Sequence, residues 1–545
     1  MKKNSLIIIP ARGGSKGIPR KNLRPIAGNP LIYYVIKTSL ELKIDGINID
    51  VVVTSEDEEI LEFSKRYGSL THKRPSSLSN DKITLDPVIE DYVNFCNKKY
   101  DFIITIQPTS PLLKSSTLKS AILKFISNEK IDTLISVIED THLSWSKIQN
   151  KYVPNYEKRK NRQELTPNFK ETGSFLISRV IINNTFKRIG KNIDLYIIDK
   201  NESTDIDNFE DWSVCEYFLK KKKILFNIIG NKSFGLGHVY NTLSIANEIL
   251  NHELIFLFDS NSKLGFNKVK SENYNALILK KDSDLIEQIK IINPDIVIND
   301  CLDTSKSFMD SLKKLKIKTI NFEDLGEGSK KSNLLINAMY KKNNHDSRGY
   351  YGLKYFILKN EFYNLKISPF RKNVQKVLIT YGGVDPNDLT YKTLESIYGF
   401  CNNKKIKIDV VLGLGYTGDI ENLKYTFPNV KIVQDVKFIS NYINSSDLVI
   451  SSAGRTTFEI ASLHKPAIIL CQNKREITHA FCYEKNGFLN LGLGTETSLE
   501  TIVTSLKTII ENQDYRFNMH NLMKKTFLMK GKKNVMSLIK TILDE

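Results

Sequence analysis

The sequence predicts an α/β protein with mostly parallel sheets, built as one N-terminal domain followed by two further α/β lobes. Three observations predict it. Short β-branched runs alternate with helix-period patterns along the chain. The alternation restarts twice, each time from a fresh apolar strand that ends in glycines. The composition is that of an ordinary globular protein, 41% hydrophobic and 26% charged over 545 residues.

The segments 6–10, 50–54, 102–107, 133–137 and 196–198 read as strands. The segments 30–43, 56–67, 86–97, 116–128 and 209–219 read as helices. Strands joined through helices lie parallel and are covered on both faces. Four lysines, Lys220 to Lys223, follow the last of these helices and precede a new strand at 224–229, which sets a first domain at 1–222. Alternation continues to about 363, a short Pro- and charge-containing link follows at 368–373, and a third alternation begins at 377–381. The lobes are therefore expected at 223–368 and 369–545, with the helices after about 499 able to join either one.

Lys and Arg total 79 against 61 Asp and Glu, a net charge of +18. The excess is scattered rather than gathered in a patch, so anionic small substrates are the expected partners and nucleic acid is not. No apolar run reaches the roughly 18 residues of a membrane span. The apolar start at 6–9 stops at Pro10, too short for a signal-peptide core. The six cysteines lie far apart without a CxxC, which argues against a zinc site or disulfide scaffold and points to a reducing, cytoplasmic setting.

The first chemical constellation is Pro10-Ala-Arg12-Gly13-Gly-Ser15-Lys16-Gly-Ile-Pro-Arg20-Lys21-Asn22, directly after the first strand. Glycines let the backbone turn tightly and offer N–H groups to an anion. Arg12, Lys16, Arg20 and Lys21 place four cations within ten residues, the neutralisation a triphosphate needs before a nucleophile approaches it. The spacing is neither a Walker loop nor GxGxxG.

This stretch resembles the signature of the CMP-N-acylneuraminate synthetases, the cytidylyltransferases that activate sialic and related nonulosonic acids. The similarity continues through Lys73-Arg74-Pro75 with Asp81 to Asp86, Gln107-Pro-Thr-Ser-Pro-Leu112, Arg162-Gln163 and Asp205-Ile-Asp207. The resemblance implies a Rossmann-like nucleotidyltransferase domain in which a nonulosonic acid attacks the α-phosphate of CTP. It implies that Arg12, Gly13, Ser15, Lys16 and Lys21 hold phosphates, and that Asn22 and Arg74 lie at the nucleotide. It also implies that Gln107, Arg162 and Gln163 face the acid sugar, and that the domain is a homodimer. Asp205 and Asp207, two apart in an extended segment, point the same way and can share Mg²⁺. One departure is Glu171-Thr172-Gly173, where most family members read NGA; it leaves the identity of the sugar open.

The second constellation is Gly235-Leu-Gly237-His238 after strand 224–229, with Tyr381-Gly-Gly383-Val-Asp385 and Ala453-Gly454-Arg455-Thr456-Thr457-Phe-Glu459 in the third alternation, then Gln472-Asn473. Glycines at strand-to-helix turns let ligand and backbone approach; the 454–457 turn suits a diphosphate and Glu459 a ribose. These turns resemble the GT-B architecture and, more narrowly, the UDP-sugar hydrolase of the pseudaminic-acid pathway. That resemblance implies a UDP-linked amino sugar as substrate and His238 acting on water. Asn227, Ile229, Asn241 and Arg455 depart from that family's pattern. A nucleotide-sugar glycosyltransferase and a non-catalytic sugar-nucleotide module therefore stay open for this half, beside the hydrolase.

Overall fold

Leu6 to Ile9 are wholly buried because they run through the middle of a sheet covered on both faces. A computed structural model describes residues 2–80, 82–179, 187–342 and 349–544, so Asp81 of the 81–86 segment lies outside the described residues. The chain forms two compact units, Met1–Lys221 and Lys222–Glu545.

In the first unit, strands β1 (Lys3–Pro10), β2 (Ile47–Ser55), β3 (Leu70–Lys73), β4 (Phe102–Ile106), β5 (Thr133–Glu139), β6 (Phe169–Arg179) and β7 (Ile193–Ile197) pair in the order β7-β5-β6-β4-β1-β2-β3. All neighbours are parallel except β6, which runs antiparallel to β4 and β5. The strand at 169–179 is not predicted by hydrophobic alternation. Its alternation is broken by Gly173, which sits at φ 70 inside a register shift between Glu171 and Leu176. The chain winds outward from β1 through β2 to β3, then returns to place β4 on β1's other side. Helices diverge at that reversal and leave a crevice beyond the carboxyl ends of β1 and β4.

The second unit repeats this geometry twice. Strands β8 (Lys223–Ile228), β9 (Glu253–Phe258), β10 (Asn275–Ile278), β11 (Ile296–Asp300), β12 (Lys318–Phe322), β13 (Leu334–Asn337) and β14 (Tyr350–Tyr351) form a parallel sheet ordered β10-β9-β8-β11-β12-β13-β14. Strands β15 (Lys376–Thr380), β16 (Lys407–Leu412), β17 (Lys431–Gln434), β18 (Leu448–Ser451), β19 (Ala467–Cys471) and β20 (Phe488–Leu493) form another, ordered β17-β16-β15-β18-β19-β20. The reversals fall between β8 and β11 and between β15 and β18.

The helices Leu499–Glu511 and Gln513–Lys524 pack on the second lobe through Ile502, Leu506, Ile509 and Met519. The terminal helix Gly531–Asp544 does not stay there. Val535, Ile539 and Ile542 enter the core of the first lobe beside Phe226 and Phe256. The expected lobe at 369–545 is corrected to that extent. The crossing is tight: a Cβ on Gly531 would lie 1.8 Å from the Phe356 carbonyl oxygen. Phe356 in turn stacks on Phe458 of the second lobe, centroids 3.8 Å apart. Gly531→Ala is expected to destabilise the second unit by about 1–3 kcal/mol, the range for overpacking, seen as a lowered denaturant midpoint with an unchanged slope.

Candidate functional site

In the first unit the glycine turn after β1 is clamped from beneath. Glu56 accepts from the Gly13 N–H (2.8 Å), from Arg74 Nη2 (3.0 Å) and from Ser79 Oγ (2.8 Å). Arg74 is buried, and its remaining donors go to the Thr54 carbonyl (3.0 Å) and Ser79 Oγ (3.2 Å). Its guanidinium thus supports the turn from within. Asn22 is also buried and donates to the Arg12 carbonyl (2.9 Å), bracing the turn. Arg20 pairs with Asp57 (3.4 Å) and Glu59. Arg12 and Ser15 are half-buried and Lys16 is exposed.

The turn meets the late acidic pair. Lys21 Nζ donates to the Ile206 carbonyl and lies 3.6 Å from Asp207 Oδ1. A Cβ on Gly17 would come within 2.5 Å of the Asp207 carbonyl. A Cβ on Gly173 would lie 2.8 Å from Gln107 Nε2 and 3.4 Å from Asp205 Oδ2. The bulge in β6 thus lets Gln107, at the end of β4, approach Asp205. Burial pushes the Asp205 pKa up; the Thr109 hydroxyl opposes this most, Asp207 and Asp211 add to the rise, and Lys21 also opposes it. Asp205 Oδ1 and Thr109 Oγ1 are both buried, and the Thr109 hydroxyl lies close enough to favour the carboxylate. Among the described residues no cluster of three His, Cys, Asp or Glu could hold a metal by itself. Arg162 and Gln163 stand exposed on the turn Arg162–Glu164, and among the described residues no side-chain contact brings either to this cleft. Thr172 is buried, with its hydroxyl on Ser136 Oγ (2.9 Å).

In the second unit a cleft between the lobes is lined by both sets of glycine turns. His238 opens the helix Gly237–Ala246 at the β8–β11 reversal. Its Nδ1 lies 2.6 Å from Oδ1 of Asp300, the last residue of β11, which is 1% exposed. Asp300 Oδ2 accepts from Asn241 Nδ2 (2.7 Å), and Asn241 Oδ1 accepts from Arg455 Nη2 (2.9 Å). Arg455 arrives from the opposite lobe, lies over the Phe356 ring (4.3 Å) and donates to the Ile357 carbonyl (3.1 Å).

Glycines here serve lobe contact as much as ligand approach. A Cβ on Gly237 would press Arg455 Cδ at 3.2 Å, and one on Gly383 would press Leu236 at 3.2 Å. Thr456 and Gly454 line the cleft, and Thr457 is buried with its hydroxyl on the Gly454 carbonyl (2.8 Å). Glu459 reaches the cleft paired to Lys359 (3.0 Å). Asn473 lines it while its side chain caps the turn at Glu476 N (3.1 Å). Asn227 donates to Asn299, Asn299 to Asn321 and Asn321 to Asp324, a neutral amide ladder across β8, β11 and β12.

Residues 6–224 match the cytidylyltransferase family model, and 376–535 match the glycosyltransferase family 28 C-terminal domain. A pseudaminic acid cytidylyltransferase of Campylobacter jejuni is 31% identical over 42% of this chain and 99% of that protein. The chain belongs to the cytidylyltransferases. An uncharacterised protein of Methanocaldococcus jannaschii is 31% identical, and the chain spans 56% of its length. A Helicobacter pylori protein is 23% identical over 94% of this chain and 96% of that one; it is described as a pseudaminic acid cytidylyltransferase and UDP-2,4-diacetamido-2,4,6-trideoxy-beta-L-altropyranose hydrolase. Among solved structures, MurG of Acinetobacter baumannii matches 59% of this chain and 99% of its own at 12% identity, TM-score 0.43.

Beside the cytidylyltransferase domain, sequence reasoning missed Asp300, Glu323, Arg475 and the chemical place of His479. Asp300 carried one signal, an acid closing a buried apolar run. Arg475 bridges the lobes to Asp303 (2.9 and 3.0 Å). Glu323, at φ 50, has both carboxylate oxygens on backbone N–H groups of Ala338 and Met339, yet burial raises it to about 7. Burial likewise raises Glu476 to about 7. Burial lowers His479, whose Nδ1 donates to the Ala453 carbonyl (2.7 Å), to about 4.

A depressed imidazole gives stability that is complete above its unfolded value and is lost as pH falls through its folded one. His479→Asn can keep the donor to Ala453 and removes the titration. Relative to this variant, the wild type is expected to lose on the order of 3 kcal/mol between about pH 6.5 and pH 4. The difference between the two denaturation curves reads this alone, since the raised Glu323 and Glu476 act in both proteins and in the opposite sense.

Proposed function

We propose that the chain carries two activities of nonulosonic acid biosynthesis. The first unit transfers CMP from CTP to the anomeric hydroxyl of a nonulosonic acid, with pseudaminic acid the first candidate because the Campylobacter and Helicobacter relatives carry that name. The observation that carries this reading is the meeting of Lys21, Asp205 and Asp207 at the β1–β4 crevice. The anomeric oxygen bonds to the α-phosphorus. The bond to the β-phosphate breaks, its electron pair leaves on pyrophosphate, and the hydroxyl proton goes to water. Nucleotidyl transfer needs mainly positioning and charge neutralisation. Mg²⁺ would supply part of that charge. The Asp205 carboxylate beside Asp207 suits an ion completed by phosphate oxygens and water, as Mg²⁺ prefers. Lys21 holds the turn against this pair and turns its ammonium toward it.

In the second unit we read hydrolysis of a UDP-linked diacetamido sugar. Water attacks the anomeric carbon, the C–O bond to UDP breaks with its electron pair leaving on the diphosphate, and His238 Nε2 takes the water proton. The carrying observation is the His238–Asp300 pair. A carboxylate only accepts, so it accepts the hydrogen bond from Nδ1–H, fixes the proton there and leaves Nε2 as the base. A second reading, glycosyl transfer to an acceptor other than water, draws on the family 28 match at 376–535. The two part on whether UDP release needs an added acceptor.

The proteins act as cytoplasmic homodimers in this reading. The hairpin of Trp145–Ile148 and Lys151–Pro154 exposes Trp145, Ile148 and Tyr152 on the first unit, apolar surface suited to a second copy.

Two assays on the full chain test the pair of activities. With CTP, Mg²⁺ and pseudaminic acid, Asp207→Ala is expected to cut pyrophosphate release at least about 100-fold while UDP-sugar turnover stays unchanged. Full rate in a folded Asp207→Ala protein would remove the metal assignment. Conversely, His238→Gln is expected to lower UDP release from the diacetamido sugar by about 100-fold or more with CMP transfer intact.

A further inference from the structure

His238 is held by a chain of four side chains that crosses from one lobe to the other: His238, Asp300, Asn241, Arg455. The two ends of that chain have fixed polarity. A guanidinium only donates, and a carboxylate only accepts. Between them, Asn241 fits in one orientation, with Oδ1 toward Arg455 and Nδ2 toward Asp300. Asn241 is 3% exposed and Asp300 1% exposed, so neither finds solvent as an alternative partner.

The charge balance follows the same path. A buried carboxylate needs a compensating cation, and a buried group without one takes a proton or recruits a neighbour's. The charged groups around His238 and Asp300 come from every element that packs there. Glu323, at the end of β12, adds negative charge next to Asp300. His479, from the second lobe, is within electrostatic reach of His238, and burial keeps it low at about 4. Arg455 interacts with Asp300, Glu323 and Glu459; Lys359 pairs with Glu459 (3.0 Å) and Arg475 lies beside Glu323 and His479, so Arg455 is the cation linked to Asp300 through Asn241. Without it, the nearest group able to supply a positive charge to Asp300 is the imidazole itself, and a protonated imidazole is no base.

We propose that Arg455 is a positioning residue for His238: acting through Asn241 and Asp300, it keeps the imidazole neutral with Nε2 free, and because it comes from the opposite lobe it makes that state depend on the lobes being together. Arg455 rests on Phe356 and on the Ile357 carbonyl, in the strap that crosses between the lobes. The base is therefore assembled from both lobes and is not a property of the first lobe alone. The inference rests on the hydrolase reading for its kinetic consequence only; the state of the imidazole is a property of the protein without substrate.

The test follows the His238 ring by ¹⁵N-edited NMR of the full chain, assigned with His238→Gln, across pH, in wild type, Arg455→Met, Arg455→Lys and Asn241→Ala. Circular dichroism and thermal midpoints check that each is folded. The expected result is a rise of about one pH unit or more in the His238 titration for Arg455→Met, a smaller rise for Asn241→Ala, and near-wild-type titration for Arg455→Lys, which keeps the charge. With a UDP-diacetamido sugar, Arg455→Met should lower kcat about tenfold or more with little change in KM, and the acid limb of the pH–rate profile should move up by the same interval as the NMR titration. An unchanged His238 titration in folded Arg455→Met overturns the proposal, and a raised KM alongside it would show Arg455 acting on substrate instead. Absence of hydrolysis in wild type with the titration shifted in Arg455→Met would sink the hydrolase reading and leave the positioning role standing.

Discussion

Reversal of strand order is the constraint on which this protein depends. A parallel sheet that winds first to one side of its opening strand and then to the other must send two consecutive crossover helices to opposite faces, and nothing fills the gap at the carboxyl ends between them. It happens in all three large sheets. At β1 and β4 the gap brings the cationic glycine turn opposite Gln107. At β8 and β11 it brings His238 to Asp300. At β15 and β18 it places Gly383 beside the 452–456 turn. The chemistry-bearing residues are far apart along the chain and adjacent only because these strands are neighbours.

Burial then decides which polar groups can act. Arg74 and Glu56 are side chains of a catalytic type, yet each is engaged inside the first unit and serves to hold the Gly13 turn. Asp205, by contrast, faces the crevice, and its raised pKa expresses burial first and then the neighbouring charge of Asp207, with the Thr109 hydroxyl and Lys21 in opposition. In the second unit the line of Asn227, Asn299 and Asn321 satisfies three buried strands with neutral amides and no net charge. Charge is concentrated at the strand ends, where Asp300, Glu323 and Arg455 meet the cleft.

The lobes of the second unit are tied by more than that polar contact. The terminal helix leaves the second lobe to complete the core of the first, passing so close to Phe356 that only glycine fits at 531. Phe356 stacks on Phe458 and carries Arg455 on its face. A packing feature at the chain's end thereby bears on the residue that reaches His238 from across the cleft.

Much of this was legible in the sequence. Apolar period and glycine turns were enough for three alternating α/β segments and for the Arg12–Asn22 turn, because strand burial and backbone freedom are local properties. The pairing of Lys21 with Asp207 was accessible through motif order. The strand Phe169–Arg179 was hidden because its bulge erases alternation, and the terminal helix could not be assigned because an amphipathic face does not say which core it will join. Whether a side chain such as Arg74, Thr457 or Arg162 faces a cleft, a turn or solvent depends on neighbours that no spacing reveals. Asp300 and Arg455 became partners of His238 only through the fold, since a hydrogen-bond relay over more than 200 positions exists once two sheets and a strap have set their strand ends side by side.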